Sequence, residues 1–402
     1  MAPNLRPPEV LHSVPEIERA LAHIWADATT HRGDGEHHVA ARSSVLNLVV
    51  VAGRRETAER CAATIEATAG RHPSRSLILS ALDDESRPGL DATIRTVAVA
   101  TAAGGTPQTG AETIYVTVHG QTSHHLASII VPLLVHDLPV ALWWPRDPQF
   151  NSHRADRLLP IADRLIVDGS SWSGDGLDRL GAMALVTQGR RLVVADFALL
   201  RQARWREALA SVYDLPDLRP HLRAIRSITV EFAAPEGGDP TGLTNVVRPV
   251  YHVAWLASRL GMSVVEPMRR LPDGRRVAAL RQGNHVVAAE WRPVCSDLGE
   301  GSTVRVEIAS RLSGAELVGE VTAGDRTVEV AIDDKGRERV RRTYLAPRLG
   351  EVDLLERALE DSSSDSVAAE ALAMAGNLIA AEPTPRRAVV GAVERHRSRD
   401  HD

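Results

Sequence analysis

Between Ser44 and Ser211 the chain repeats one beat: a short β-branched apolar run, a turn, then a stretch of helical composition. SVLNLVVV (44–51) is apolar enough for a strand buried on both faces, Gly53 ends it, and Glu56 to Ala69 is helical in composition. Further runs follow at SLIL (76–79), TIRTVAVA (93–100), ETIYVTVH (112–119), PVALWW (139–144), RLIVDG (164–169) and RLVVADF (191–197). Helical segments fall up to about Val135, near Ala155, at 177–185 and at 199–211. Apolar strands alternating with helices of this length predict an α/β fold, a mostly parallel sheet covered by helices on both faces. Ahead of it, Ser13 and Glu16 bracket Pro15 as a capping box, with Ile17, Leu21, Ile24 and Trp25 at helical spacing. TTHRGDGEHHVAAR (29–42) lacks periodicity and reads as a loop.

After Glu231 the texture changes. EFAAPEGGDPTGLTN is a proline- and glycine-rich break, and one more helix follows in VVRPVYHVAWLASRL. From Ser263 to Leu345 short runs of period two are separated by Asp273-Gly274, Gly283-Asn284 and Lys335-Gly336, the signature of hairpins. This predicts a β-rich antiparallel α+β C-terminal domain. The expected organisation is an α/β N-terminal domain over 1–235, a connecting helix region over 236–262, the antiparallel domain over 263–350, and helices with a disordered tail over 351–402. A chain of 402 residues is long enough for two such cores.

Composition narrows the function. With 44% hydrophobic residues, 25% charged residues and a net charge of -5, nothing favours nucleic acid or an anionic membrane surface. Pro7, Pro8 and Pro15 interrupt the N-terminus, so no secretory signal is expected, and Pro132, His136, Asp137 and Pro139 break the most apolar region. Two cysteines, Cys61 and Cys295, frame no disulfide scaffold. The expectation is a cytoplasmic protein without a membrane span.

An α/β sheet invites a nucleotide, yet the first strand-to-helix turn, VVVAGRRETAER, has one glycine where a pyrophosphate would need G-x-G-x-x-G. A P-loop is absent, and the single lysine, Lys335, lies in a hairpin turn. DGSSWSGDG has no serine flanked by glycines at both -2 and +2, so it makes no nucleophile elbow. No cofactor, metal or catalytic residue is expected. His119, His124 and His125 form a dense histidine group after a strand, with no carboxylate or cysteine at zinc-ligand spacing. They read as carboxyl-edge residues or as solvated caps. Arg71, His72 and Arg75 in RHPSR could clamp a phosphate or a carboxylate, or sit as solvated loop charges. Trp143 and Trp144 end one strand, so alternation sends them to opposite faces. Either both are buried, or Trp144 is an exposed interface anchor. If strand ends collect these groups, His72, Arg75, His124, His125 and Trp144 share one edge of the sheet.

Four ordered blocks carry a resemblance: NLVVVAGRRETAERC with RHPSRSLIL; ETIYVTVHG with HHLASIIVPLLVHDLPVALWWP; ADRLIVDGSSW; and WREALASVYDLP with WLASRLGM. Across roughly 46–262 the chain resembles the glucose-6-phosphate dehydrogenase assembly protein family, OpcA. The segment ADFALLRQARWRE departs from that family's D-x-x-W-x-R-L pattern at Phe197 and at Ala198 to Leu200. The resemblance implies a non-catalytic assembly factor or allosteric activator that binds glucose-6-phosphate dehydrogenase and promotes its active oligomer in the oxidative pentose phosphate pathway. The chain lacks that enzyme's R-I-D-H-Y-L-G-K motif. Competing readings are a sugar-phosphate or nucleotide-sugar binding enzyme, and a small-molecule sensor, on the same α/β scaffold.

Overall fold

The computed structural model describes residues 10–30, 44–82, 87–99, 108–236, 239, 241–360 and 366–380. The segment after Thr30, the serine-rich linker at 361–365 and the charged tail lie outside the described residues, as do the carboxylates of Asp83, Asp84 and Glu85.

The N-terminal part runs α1 (Val14–Thr30), β1 (Leu46–Val51), α2 (Arg55–Thr68), β2 (Ser74–Leu82), β3 (Gly89–Val99) and β4 (Gln108–His119). It continues with α3 (Leu126–Leu133), β5 (Val140–Trp144), α4 (His153–Leu158), β6 (Arg164–Val167), α5 (Leu177–Thr187), β7 (Val193–Asp196), α6 (Phe197–Leu200) and α7 (Ala203–Tyr213). Its seven strands form one sheet in the order β3-β4-β2-β1-β5-β6-β7. All neighbours are parallel except the hairpin partners β3 and β4. The mostly parallel sheet expected from the strand-helix beat is therefore present, with an antiparallel edge added by β3.

Alternation along β5 divides its tryptophans between two cores. Trp143 is fully buried with Cys61, Ile65, Ile166 and Phe197 on the face covered by α2. Trp144 is 5% exposed and lies on the opposite face beside Phe150, which itself packs edge-on to Trp172. Neither side chain is an exposed anchor. Cys61 sits in the first of these cores, where burial pushes its thiol up to about 12. Both cysteines are free.

The second sheet begins with β8 (Ile225–Ala234), which takes in the EFAA that opens the segment expected to be a break, and is followed by α8 (Val247–Arg259). β9 (Ser263–Arg270), β10 (Arg276–Gln282), β11 (His285–Cys295), β12 (Thr303–Leu312), β13 (Ala315–Ala323), β14 (Thr327–Asp334) and β15 (Arg337–Leu345) complete it. Its order is β15-β14-β13-β12-β8-β11-β10-β9, antiparallel everywhere but between β8 and β11. The β14–β15 turn places Lys335 and Gly336 at φ 53° and 84°, the left-handed pair that a two-residue hairpin needs to match strand twist. α8 packs on this sheet, and the Trp291 indole donates to the Pro249 carbonyl at 3.0 Å.

Two C-terminal helices return to the first sheet. Leu354, Leu355 and Ala358 of α9 (Glu351–Glu360) fill the core that holds Trp143. α10 (Ser366–Ile379) packs between α5 and α8. No described helix is long and apolar enough to cross a membrane.

Because both tryptophans are interior, Trp143→Ala and Trp144→Ala should each cost roughly 3–5 kcal/mol of folding stability through lost burial and a residual cavity. Denaturant unfolding of the isolated protein checks this. Variants with an unchanged midpoint would show that the rings are not core residues.

Candidate functional site

The sequence-selected residues do not converge. In the parallel register of β2 and β4, Arg75 lies opposite Glu112 and Leu82 opposite His119. RHPSR is thus at the amino ends of the strands and the histidine group at the carboxyl ends, so the shared edge fails. Both loops are adjacent in sequence to strands, but they meet opposite ends of them. At the amino edge Arg75 is buried, and its Nε and Nη2 donate to Glu112 at 2.7 and 2.5 Å, while Nη1 donates to the Leu133 carbonyl at 3.2 Å. This guanidinium is saturated by protein and joins β2, β4 and α3. Arg71 pairs with Glu356 of α9 at 2.5 Å, and the Nε2 of His72 is buried without a hydrogen-bond partner among the described residues. At the carboxyl edge His119 meets Asp91 at 3.3 Å, and His124 and His125 are exposed on the turn that leads into α3.

A different constellation forms where β6 and β7 end. Asp168 caps the turn Gly169–Ser171, accepting from the Ser170 amide at 3.2 Å. Arg201 grips the same carboxylate with two bonds, Nη1 to Oδ1 at 2.7 Å and Nη2 to Oδ2 at 3.0 Å. Burial pushes Asp168 up, but the hydrogen bonds and charge of Arg201 outweigh it and hold the carboxyl below its ordinary value.

Next to it, Asp196 is almost wholly buried. It accepts from the Gly169 and Ala198 amides at 2.9 and 2.8 Å and from the Tyr251 hydroxyl at 3.0 Å. Desolvation pushes its carboxyl up to about 6, those donors pulling against the rise and the Asp168 charge adding to it. Only glycine fits at 169, because a Cβ there would lie 2.7 Å from Asp196 Oδ2 and 2.7 Å from a Val247 methyl.

The third side comes from the segment before and within α8. Asn245 donates to the Gly169 and Trp172 carbonyls at 2.9 and 3.0 Å. Arg248 reaches Ser170 Oγ and Ser302 Oγ, both at 3.2 Å, thereby tying the first sheet's loop to the second sheet. Beyond Arg201 and Arg248 opens a cleft of about 450 Å³ between the two sheets, with Trp205, Arg357 and Thr303 among its walls. Trp205 packs against His252 at 5.1 Å between ring centroids. Burial, reinforced by Arg206, pushes the His252 imidazole down to about 3.

Sequence reasoning had DGSSW in hand but not its partners. Asp196, Asn245, Arg248 and Tyr251 lie 27 to 82 residues further on than Gly169, in segments read as strand, break and helix. A threonine and an asparagine just ahead of an apolar helix were the available signal, and it pointed to a cap rather than to a site.

A family model described as the N-terminal domain of a glucose-6-phosphate dehydrogenase subunit matches residues 65–184, and one described as its C-terminal domain matches residues 192–372. The Synechocystis sp. protein named for OpcA and the OxPP cycle is 29% identical over 148 residues, covering 36% of this chain. The chain spans 29% of that curated relative's length. Among solved structures, glucose-6-phosphate 1-dehydrogenase from Mycobacterium avium aligns at 13% identity and a TM-score of 0.41, covering 84% of this chain and 91% of that one. The dehydrogenase MviM from Clostridium difficile aligns at 11% identity and 0.40, covering 83% and 97%.

Protonation of His252 is blocked in the folded state between its ordinary 6.5 and about 3, whereas the unfolded chain takes up that proton. The unfolded state then binds more protons, so this group lowers stability as pH falls below 6.5, by about 2 kcal/mol at pH 5. Asp196 acts oppositely between 3.8 and about 6, where the folded state binds the extra proton. His252→Gln should therefore lose less stability than the wild type between pH 7 and pH 5 in urea unfolding. Parallel pH dependences would contradict the assignment.

Proposed function

Since the chain belongs to the OpcA family of glucose-6-phosphate dehydrogenase assembly proteins, we propose that it is a non-catalytic partner which binds glucose-6-phosphate dehydrogenase and promotes its active oligomer. The observation that carries this reading is the pair of consecutive family matches, which together span well over half of the chain and reach into both sheets. An activator of this kind acts by binding the active state of its target more tightly than the inactive one, and it shifts the balance only by that difference. The work is then done by a surface, and the two-sheet body serves to hold that surface rigid.

Of the residues selected from sequence, His124 and His125 have exposed side chains at the carboxyl edge, and the reading assigns partner contact there. Arg75, Trp143 and Trp144 act through folding, since their side chains are occupied inside the protein. The cytoplasm, where the dehydrogenase's substrates are found, is the compartment this reading requires.

Mixed with the glucose-6-phosphate dehydrogenase of its own organism, the protein should raise that enzyme's velocity or its oligomeric mass, with no turnover of glucose 6-phosphate alone. Velocity titration and mass measurement of the mixture check this. The double variant His124→Asp, His125→Asp should weaken the complex about tenfold, roughly 1.4 kcal/mol, and leave the melting temperature of the isolated protein unchanged. A wild-type protein that neither co-migrates with the dehydrogenase nor changes its velocity at micromolar excess would sink the proposal.

A further inference from the structure

The cleft between the two sheets has an excess of positive charge that the protein does not neutralise. Five arginines line it, Arg201, Arg204, Arg248, Arg348 and Arg357, against Asp297 and Asp325, and both of those carboxylates are exposed at its rim. This imbalance stands in a chain whose net charge is -5. Arg201 is committed to Asp168, Arg204 to Glu207, and Arg348 approaches Asp325. Among the described residues Arg248 is not hydrogen-bonded to a carboxylate: its two terminal nitrogens reach only serine hydroxyls, and its Nε is buried with no partner. Arg357, half-buried on α9, makes no hydrogen bond or ion pair among the described residues. Holding two guanidinium groups partly out of water without a directly bonded carboxylate, Arg248 feeling only the nearby charges of Asp168 and Asp196, is unfavourable unless an anion joins them.

Orphaned polar atoms gather at the same place. The Oε1 of Gln202, the Oγ1 of Thr303 and the Nε of Arg248 are buried and unpartnered among the described residues, and all three residues line this cleft. Gln202 and Thr303 are more than nine-tenths buried. An amide oxygen accepts from a hydroxyl and a threonine hydroxyl can donate to one or accept from one, so the unmet demand is for hydroxyl groups as well as negative charge. Guanidinium forks match phosphoryl oxygens bidentately, and Trp205 supplies an apolar wall beside them. At about 450 Å³ the cleft is of the size that holds a small metabolite.

We propose that this inter-sheet cleft is a binding site for a small phosphorylated, polyhydroxylated molecule, a sugar phosphate or a nucleotide, with Arg248 and Arg357 holding the phosphoryl group and Gln202 and Thr303 meeting its hydroxyls. Its walls come from α6, α7, α8, α9 and strands of the second sheet. A ligand there bridges both sheets and biases their relative position, and it does so whether or not the dehydrogenase is the partner.

The test is calorimetric titration of the full chain, at fixed ionic strength, with glucose 6-phosphate, ATP, inorganic phosphate, glucose and an aspartate-rich peptide as separate probes. Glucose 6-phosphate or ATP should bind at least tenfold more tightly than inorganic phosphate, and glucose should not bind. Which of the two binds more tightly identifies the source of the phosphoryl group. Arg357→Gln, which removes no contact within the protein, should raise the dissociation constant at least tenfold with an unchanged melting temperature, and Arg248→Gln should raise it at least as much while also lowering the melting temperature through the lost bonds to Ser170 and Ser302. Arg71→Gln, at the opposite edge of the first sheet, should leave it unchanged. Trp205→Phe should abolish the ligand-induced change in tryptophan fluorescence. Binding of neither phosphorylated probe, affinity indifferent to Arg357→Gln, or tighter binding of the acidic peptide would overturn the proposal, the last by showing a surface for a protein partner. These readouts need no dehydrogenase, so their failure is separate from failure of the assembly function.

Discussion

Asp196 is the point on which the two halves of the molecule depend. A carboxylate taken almost completely out of water is tolerable only when its oxygens are met by donors, and here three arrive from three different elements. The Gly169 amide brings in the loop after β6, the Ala198 amide starts α6 at the end of β7, and the Tyr251 hydroxyl docks α8. α8 fastens the second sheet to the first together with α7 and α10, and its share of that joint follows from this buried acceptor and from the close approach allowed by Gly169.

The neighbouring charges follow from the same geometry. With Asp196 occupied by neutral donors, Asp168 is left to Arg201, and Arg248 from α8 is carried into the space between the sheets with two serine hydroxyls as its guanidinium's only hydrogen-bond partners among the described residues. The cationic cleft is thus a by-product of how the sheets are joined. α9 completes it, bringing Arg357 to its wall while Leu354 and Leu355 fill the core around Trp143. One short helix therefore links the interior of the first sheet, the cleft and, through Glu356 and Arg71, the amino edge of the strands.

The strand-helix alternation and the later period-two runs determined the fold class, because burial on two faces or on one writes its period directly into the order of side chains. The same logic put Trp143 and Trp144 on opposite faces. What it left open was whether helices cover both, and helices from distant parts of the chain do so. The antiparallel placement of β3 at the edge and the insertion of β8 in the middle of the second sheet were not legible. Strand partners are chosen by contacts across long sequence separations, and a strand's own residues look alike in either sheet.

The candidate site shows the same division. His119, His124, His125 and the RHPSR cluster could be picked out by residue type alone, since charge and imidazole chemistry are properties of single side chains. Whether they act together depends on which end of the sheet each loop occupies, and the register sent them to opposite ends. Arg75 could be read from sequence as an anion clamp or as a solvated loop charge, and it is neither, because Glu112, 37 residues away, folds against it. By itself the sequence determined the periodicity, the two kinds of sheet and the family likeness of its motifs. Tertiary structure alone decided which charges found partners and which did not, because neutralisation depends on distance in space: Asp168, Asp196 and Arg201 meet at the ends of β6, β7 and α6 in the first sheet, and Arg248 and Arg357 reach them only when α8 and α9 have packed there.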